Sequence, residues 1–129
     1  MSVLAIDHIQ ISIPKGRLAE ALPFYTQVLG FRQVPKPAEV GDEGAWLEQG
    51  SVRIHLGEES PFSTDGCAHP ALRVDDLDSI LQRATDAGRA SRRDPGPSGY
   101  RRASVFDAFG NRIELMQKIT SEITDEESR

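Results

Sequence analysis

The sequence predicts an α+β fold built from two matching halves, each a strand, a helix, a second strand and a hairpin. Three observations predict it. The phrase RIHL at residues 53–56 returns as RIEL at 112–115, with one possible metal ligand, His55, exchanged for another, Glu114. His8 and His69 are 61 residues apart and His55 and Glu114 are 59 apart, so the repeat keeps its register to within two residues. The hydrophobic period also changes from two to 3.6 and back in the same order in both halves.

The elements follow in chain order. From Asp7 to Ile13 the chain alternates, with Ile9, Ile11 and Ile13 on one face and His8, Gln10 and Ser12 on the other, as in a half-buried strand. GRLAEALPFYTQVLG then spaces Leu18, Ala21, Leu22, Tyr25, Val28 and Leu29 as a helical stripe, with Gly30 suited to the left-handed residue beyond its end. Pro23 is discordant, because inside a helix it removes a hydrogen bond. A short strand at FRQV leads into the loop VPKPAEVGDEG, and AWLE and VRIHLG form a hairpin about Gln49 and Gly50.

The second half repeats the order. AHPALRV sets Pro70, Leu72 and Val74 against His69, Ala71 and Arg73. DDLDSILQRATDAG reads as a helix capped by Asp75 or Asp76, striped by Leu77, Ile80, Leu81 and Ala84, and closed by Gly88. A weak strand near Ala90 and Ser91 precedes the loop RRDPGPSG. YRRASVF and NRIELMQ then make a hairpin across DAFG, whose residues carry turn chemistry. The acidic segment 119–129 reads as a tail.

Composition narrows the function classes. Halves of about 60 residues bury too little surface to stand alone, so 129 residues are read as a single domain over 1–118, with modules at about 3–57 and 67–118. With 20 acidic against 15 basic residues, a net charge of −5 and a pI near 5.2, no basic field exists for nucleic acid or an anionic membrane. No apolar run approaches the roughly 20 residues of a membrane span, and MSVLAIDHIQ lacks signal-peptide regions, so a cytoplasmic location is expected. The single Cys67 is read as a small apolar residue.

Alternation also assigns faces. Ile54 with Leu56, and Ile113 with Leu115, point toward the helices, so His8, His55, His69 and Glu114 point the other way. The opposite sheet faces are expected to curl together around a pocket that inherits these four side chains. A turn at Gln49 and Gly50 pairs Trp46 with Arg53. The second hairpin pairs Ser104 with Glu114, and Tyr100 and Arg102 share that face. Neutral imidazoles plus a carboxylate suit a divalent first-row ion: iron, manganese, nickel, cobalt or zinc. Arg53, Arg73 and Arg102 are candidates to orient an anionic substrate, and Trp46 and Tyr100 to wall the pocket.

The motifs DHIQISI, FYTQVLGF, HPALRVDDLD and DAFGNRIELMQ, in this order over about residues 3–118, resemble the vicinal oxygen chelate superfamily. That superfamily includes glyoxalase I, bleomycin resistance proteins, fosfomycin resistance enzymes and extradiol dioxygenases. The resemblance implies two paired βαβββ modules forming a cupped, barrel-like mixed sheet with helices outside, a central metal, and often a dimer. His8, His69 and Glu114 match the usual three protein ligands, and His55 lies where glyoxalase I has a fourth, carboxylate ligand. Fosfomycin resistance enzymes carry a threonine at Gln10 and a tyrosine at Ser104. Together these imply a metal-dependent glyoxalase-like lyase, isomerase or dioxygenase acting on a small vicinal-oxygen substrate, as a homodimer. Glu114 and His55 are its candidate catalytic groups, with His55 a ligand or a general base, and Ser104 lies with Arg102 among the candidate substrate contacts. The alternative is a non-catalytic small-molecule binding or antibiotic-resistance protein of the bleomycin resistance type.

Overall fold

The computed structural model describes residues 1–64 and 66–119, so the expected tail lies, beyond Ile119, outside the described residues. The chain divides into two compact units, Met1–Gly66 and Cys67–Arg129, each with one four-stranded mixed sheet. Among the described residues no helix is long and apolar enough to cross a membrane.

In the first unit β1 (Ile9–Pro14) pairs in parallel with β4 (Val52–Glu59), and β4, β3 (Ala45–Gln49) and β2 (Arg32–Val34) pair antiparallel, in the order β1-β4-β3-β2. The expected alternation holds: Ile11, Ile13, Leu47, Ile54 and Leu56 share one face and are at most 5% exposed. The strand begins at Ile9 rather than Asp7: its pairing with β4 opens at Ile9 opposite Ile54, although β4 itself extends back to Val52. β4 also runs to Glu59, two residues past the boundary expected at 57.

The helical stripe is divided at its proline. α1 (Leu18–Pro23) gives way to a π-helical turn over Phe24–Val28, where Leu29 N–H reaches back five residues to the carbonyl of Phe24 at 3.1 Å. Pro23 has no N–H for the regular ladder, and the wider turn keeps Tyr25, Val28 and Leu29 buried with Ala21. Gly30, at φ +83°, ends the segment. From β3 the Gln49 amide donates to the carbonyls of Leu29 and Gly30 at 3.1 and 2.8 Å, satisfying acceptors at the helix end.

The first hairpin differs in register from expectation. Gly50 and Ser51 form the turn, so Trp46 stands opposite His55, and Arg53 opposite Glu48. Gly50 at φ +58° takes the first turn position, which moves the ladder by two residues and brings the tryptophan to the histidine.

In the second unit β5 (Ala71–Arg73) runs parallel to β8 (Arg112–Lys118), followed by β7 (Tyr100–Phe106) and β6 (Ser91–Asp94), in the order β5-β8-β7-β6. α2 (Leu77–Asp86) is capped by Asp76, whose carboxylate accepts from the backbone N–H and hydroxyl of Ser79 at 3.2 and 2.7 Å. Leu77, Ile80 and Ala84 are buried together with Ala103, Val105, Ile113 and Leu115. β6 extends to Asp94, into the segment expected to be loop. Antiparallel pairing with β7 holds this polar strand, which its own hydrophobic pattern does not announce. The duplication is thus structural: His55 lies between Gln10 and Trp46, and Glu114 between Ala71 and Ser104.

Candidate functional site

In the first unit, the sheet face opposite the core carries a cleft of ≈ 740 Å³ lined by Asp7, His8, Gln10, Trp46, Arg53 and His55, among others. Three rings stack beside it. Trp46 and His55 lie 4.2 Å apart between centroids and 3° from parallel, and His55 and His8 lie 3.9 Å and 18° apart. Burial, reinforced by the charge of His8, lowers the pKa of His55 below the ordinary 6.5, so its imidazole is neutral at neutral pH. A carboxylate cannot donate, so the 3.0 Å contact to Asp7 places a proton on His8 Nδ1. Arg53 reaches the other oxygen of Asp7 at 3.4 Å. The stack holds the ring nitrogens of His8 and His55 in two near-parallel layers.

In the second unit the corresponding face is an ionic network. Glu114, 7% exposed, meets His69 Nε2 through Oε1 at 2.8 Å, and Oε2 accepts from Arg102 Nε at 2.6 Å. The Arg102 guanidinium holds the Glu114 carboxyl below the usual carboxylate range despite its burial, and His69 adds to the effect. Arg102 also donates from Nη1 to the carbonyl of Pro95 at 2.9 Å. Ser104 is fully buried, donates to Asp94 at 3.0 Å and accepts from Arg112 Nε at 2.9 Å. Burial raises the pKa of Asp94, but hydrogen bonds from Arg92 and Ser104 bring it below its ordinary value. Arg73 rests over the Tyr100 ring, 5.3 Å from its centroid.

The geometry of His69 suits a cation. Its Nδ1 lies 2.8 Å from the carbonyl of Cys67, which can only accept, so Nδ1 carries a proton, and Nε2 faces the Glu114 carboxylate. A positive charge between the two, a proton or a metal ion, completes that contact. Ligands at right angles around an ion, with bonds of about 2.0–2.1 Å, stand about 2.9 Å apart, close to the separation found. Among the described residues no three His, Cys, Asp or Glu side chains form a ready group, and the donors come in pairs.

The sequence model for the glyoxalase/bleomycin resistance protein/dioxygenase superfamily matches residues 5–115. The chain belongs to this superfamily. A Bacillus anthracis protein described as glyoxalase-family is 35% identical, with a TM-score of 0.84 over 92% of this chain and 98% of that one. The fosfomycin resistance protein FosX of Listeria monocytogenes shares the fold at 15% identity, with a TM-score of 0.75 over 94% and 98% of the two chains. TnmS3, an antibiotic binding protein from a Streptomyces species, is 27% identical, with a TM-score of 0.63 over 90% and 99%. A comparison with curated proteins finds no match.

Within each unit the structure brings some of the expected residues into contact. Glu114, His69 and Arg102 come together, and so do His55, His8 and Trp46. Asp7, Asp94 and Arg112 went unnoticed as supports of these groups. Arg112 had a signal, because it opens RIEL as Arg53 opens RIHL. Asp94 had none, lying in a segment that reads as loop.

Proposed function

We propose that this chain is a metal-dependent glyoxalase-like enzyme, a lyase, isomerase or dioxygenase, acting on a small substrate with vicinal oxygens. The supporting observation is the His69 and Glu114 pair, a protonated Nδ1 behind an Nε2 that meets a carboxylate oxygen at 2.8 Å. Nitrogen and oxygen donors suit nickel, zinc, manganese, cobalt or iron, and family likeness implies His8 as a third ligand. When bound, such an ion supplies charge stabilisation to an oxygen that becomes negative during reaction. Glu114 contributes the ligand charge, and Cys67 and Arg102 fix the orientation of the two donors.

His55 is the proposed general base. It is neutral at neutral pH, Trp46 holds its plane, and among the described residues its ring nitrogens have no hydrogen-bond partner. A ring nitrogen is thus available to take a proton from substrate. Arg53, Arg73, Tyr100 and Arg102 are the groups proposed to orient an anionic part of the substrate. A binding role without turnover is the second reading, supported by the cleft beside the ring stack and by the likeness to TnmS3.

Metal content separates the two. Protein purified without a histidine tag or chelator is expected to carry about one divalent ion per chain by mass spectrometry, and Glu114→Ala to weaken calorimetric binding at least ~10-fold. Uptake of none of the five metals by the wild-type protein sinks the enzyme reading.

A further inference from the structure

We propose that Arg102 is a positioning residue that restricts Glu114 to one metal-binding oxygen and lowers the affinity of the site. The inference rests on the metal reading above and goes beyond it, because it concerns a side chain that is not itself a ligand.

The guanidinium is held at two points. Nε donates to Glu114 Oε2 at 2.6 Å and Nη1 to the Pro95 carbonyl at 2.9 Å, with the side chains of Arg102 and Glu114 only 25% and 10% exposed. Oε1 alone faces His69. Both carboxylate oxygens could otherwise join one ion; the arginine occupies the second with a charge-assisted bond. It also neutralises the only charged donor in the pair, and ligand charge is a main source of affinity for a divalent ion. Arg112 Nη2, 3.8 Å from Oε1, adds to the positive surroundings.

The internal repeat indicates that the module does not require this arginine. Trp46 matches Ser104 across their hairpins, so two residues earlier Gly44 stands where the second unit has Arg102. A βαβββ unit therefore folds with no side chain at that place.

Cobalt(II) is a suitable probe, because its visible absorption reports coordination number independently of turnover. Arg102→Gln removes the charge and keeps a donor, and is expected to bind cobalt about 10-fold more tightly than wild type. Arg102→Lys keeps the charge and is expected to stay within about twofold of wild type. Arg102→Ala frees the second oxygen, so its affinity should rise and its visible spectrum should change as that oxygen joins the ion. Thermal unfolding of each variant identifies any that fail to fold, and the Gln and Lys pair decides the matter if the Ala variant does. Equal cobalt affinity in wild type, Gln and Lys variants overturns this inference while leaving the metal reading intact, and so does weaker binding by a folded Gln variant. Cobalt uptake by none of them overturns both.

Discussion

A neutral imidazole between an indole and a second imidazole is held by dispersion and by the loss of water from its faces, and protonation restores the demand for that water. His55 occupies this position, and its lowered pKa follows first from burial and then from the charge of His8. Trp46 is the only tryptophan in the chain, so fluorescence reports this stack alone. As pH falls, emission is expected to drop with a midpoint below 6.5, because a protonated imidazole quenches an adjacent indole. The transition should vanish in His55→Gln. Stability follows the same sign: above the unfolded value both states are neutral, and below the folded value the native state bears the full cost of the charge. Stability is therefore lost as pH falls through the window beneath 6.5. A midpoint above 6.5 would contradict the stacked, desolvated environment.

Elements place these residues, and two glycines of the first unit show how differently one methyl group acts. Gly44 precedes β3 at φ +74°, and a Cβ there would lie 2.1 Å from the backbone carbonyl oxygen of Leu56. Neither backbone has room to give, so Gly44→Ala is expected to cost roughly 2–4 kcal/mol in urea unfolding. In β4, a Cβ on Gly57 would lie 2.3 Å from the amide nitrogen of Gln10, the far end of a flexible side chain. Gly57→Ala should cost less than about 1 kcal/mol, while pushing Gln10 into the cleft and weakening ligand binding. Equal stability losses in the two variants would contradict this distinction. Element type was legible from periodicity: Ile11 and Ile13, Leu77 and Ile80, and Ile113 and Leu115 all lie on the faces alternation assigned. Register was less legible. Gly50 suits either position of a two-residue turn, and the choice decides whether Trp46 meets Arg53 or His55. The π-helical turn was legible only as a conflict at Pro23. The bond from Arg102 to Glu114 was beyond sequence reading, because a shared face does not say which way an arginine's long side chain reaches.

For the whole molecule, a homodimer is the expected assembly, and two features argue for it. Among the described residues each of β1, β2, β5 and β6 has a neighbour on one side only within its own sheet. Residues 1–8 are all exposed, and Met1, Val3, Leu4 and Ile6 stand at 82–125% of their reference exposure, ahead of a strand that begins at Ile9. A second chain would cover this apolar segment and supplement the core of a 129-residue protein. Light scattering is expected to report a dimer at micromolar concentration, and deletion of residues 1–6 to shift it toward monomer. Scattering from a monomer alone in the intact chain refutes the assembly. Mixing His8→Ala chains with Glu114→Ala chains then tests how the donors are shared. If each centre takes His8 from one chain and Glu114 from the other, a mixed dimer regains one intact centre and measurable metal uptake. If each chain supplies its own set, both centres remain defective, and the mixture binds no more metal than its parents.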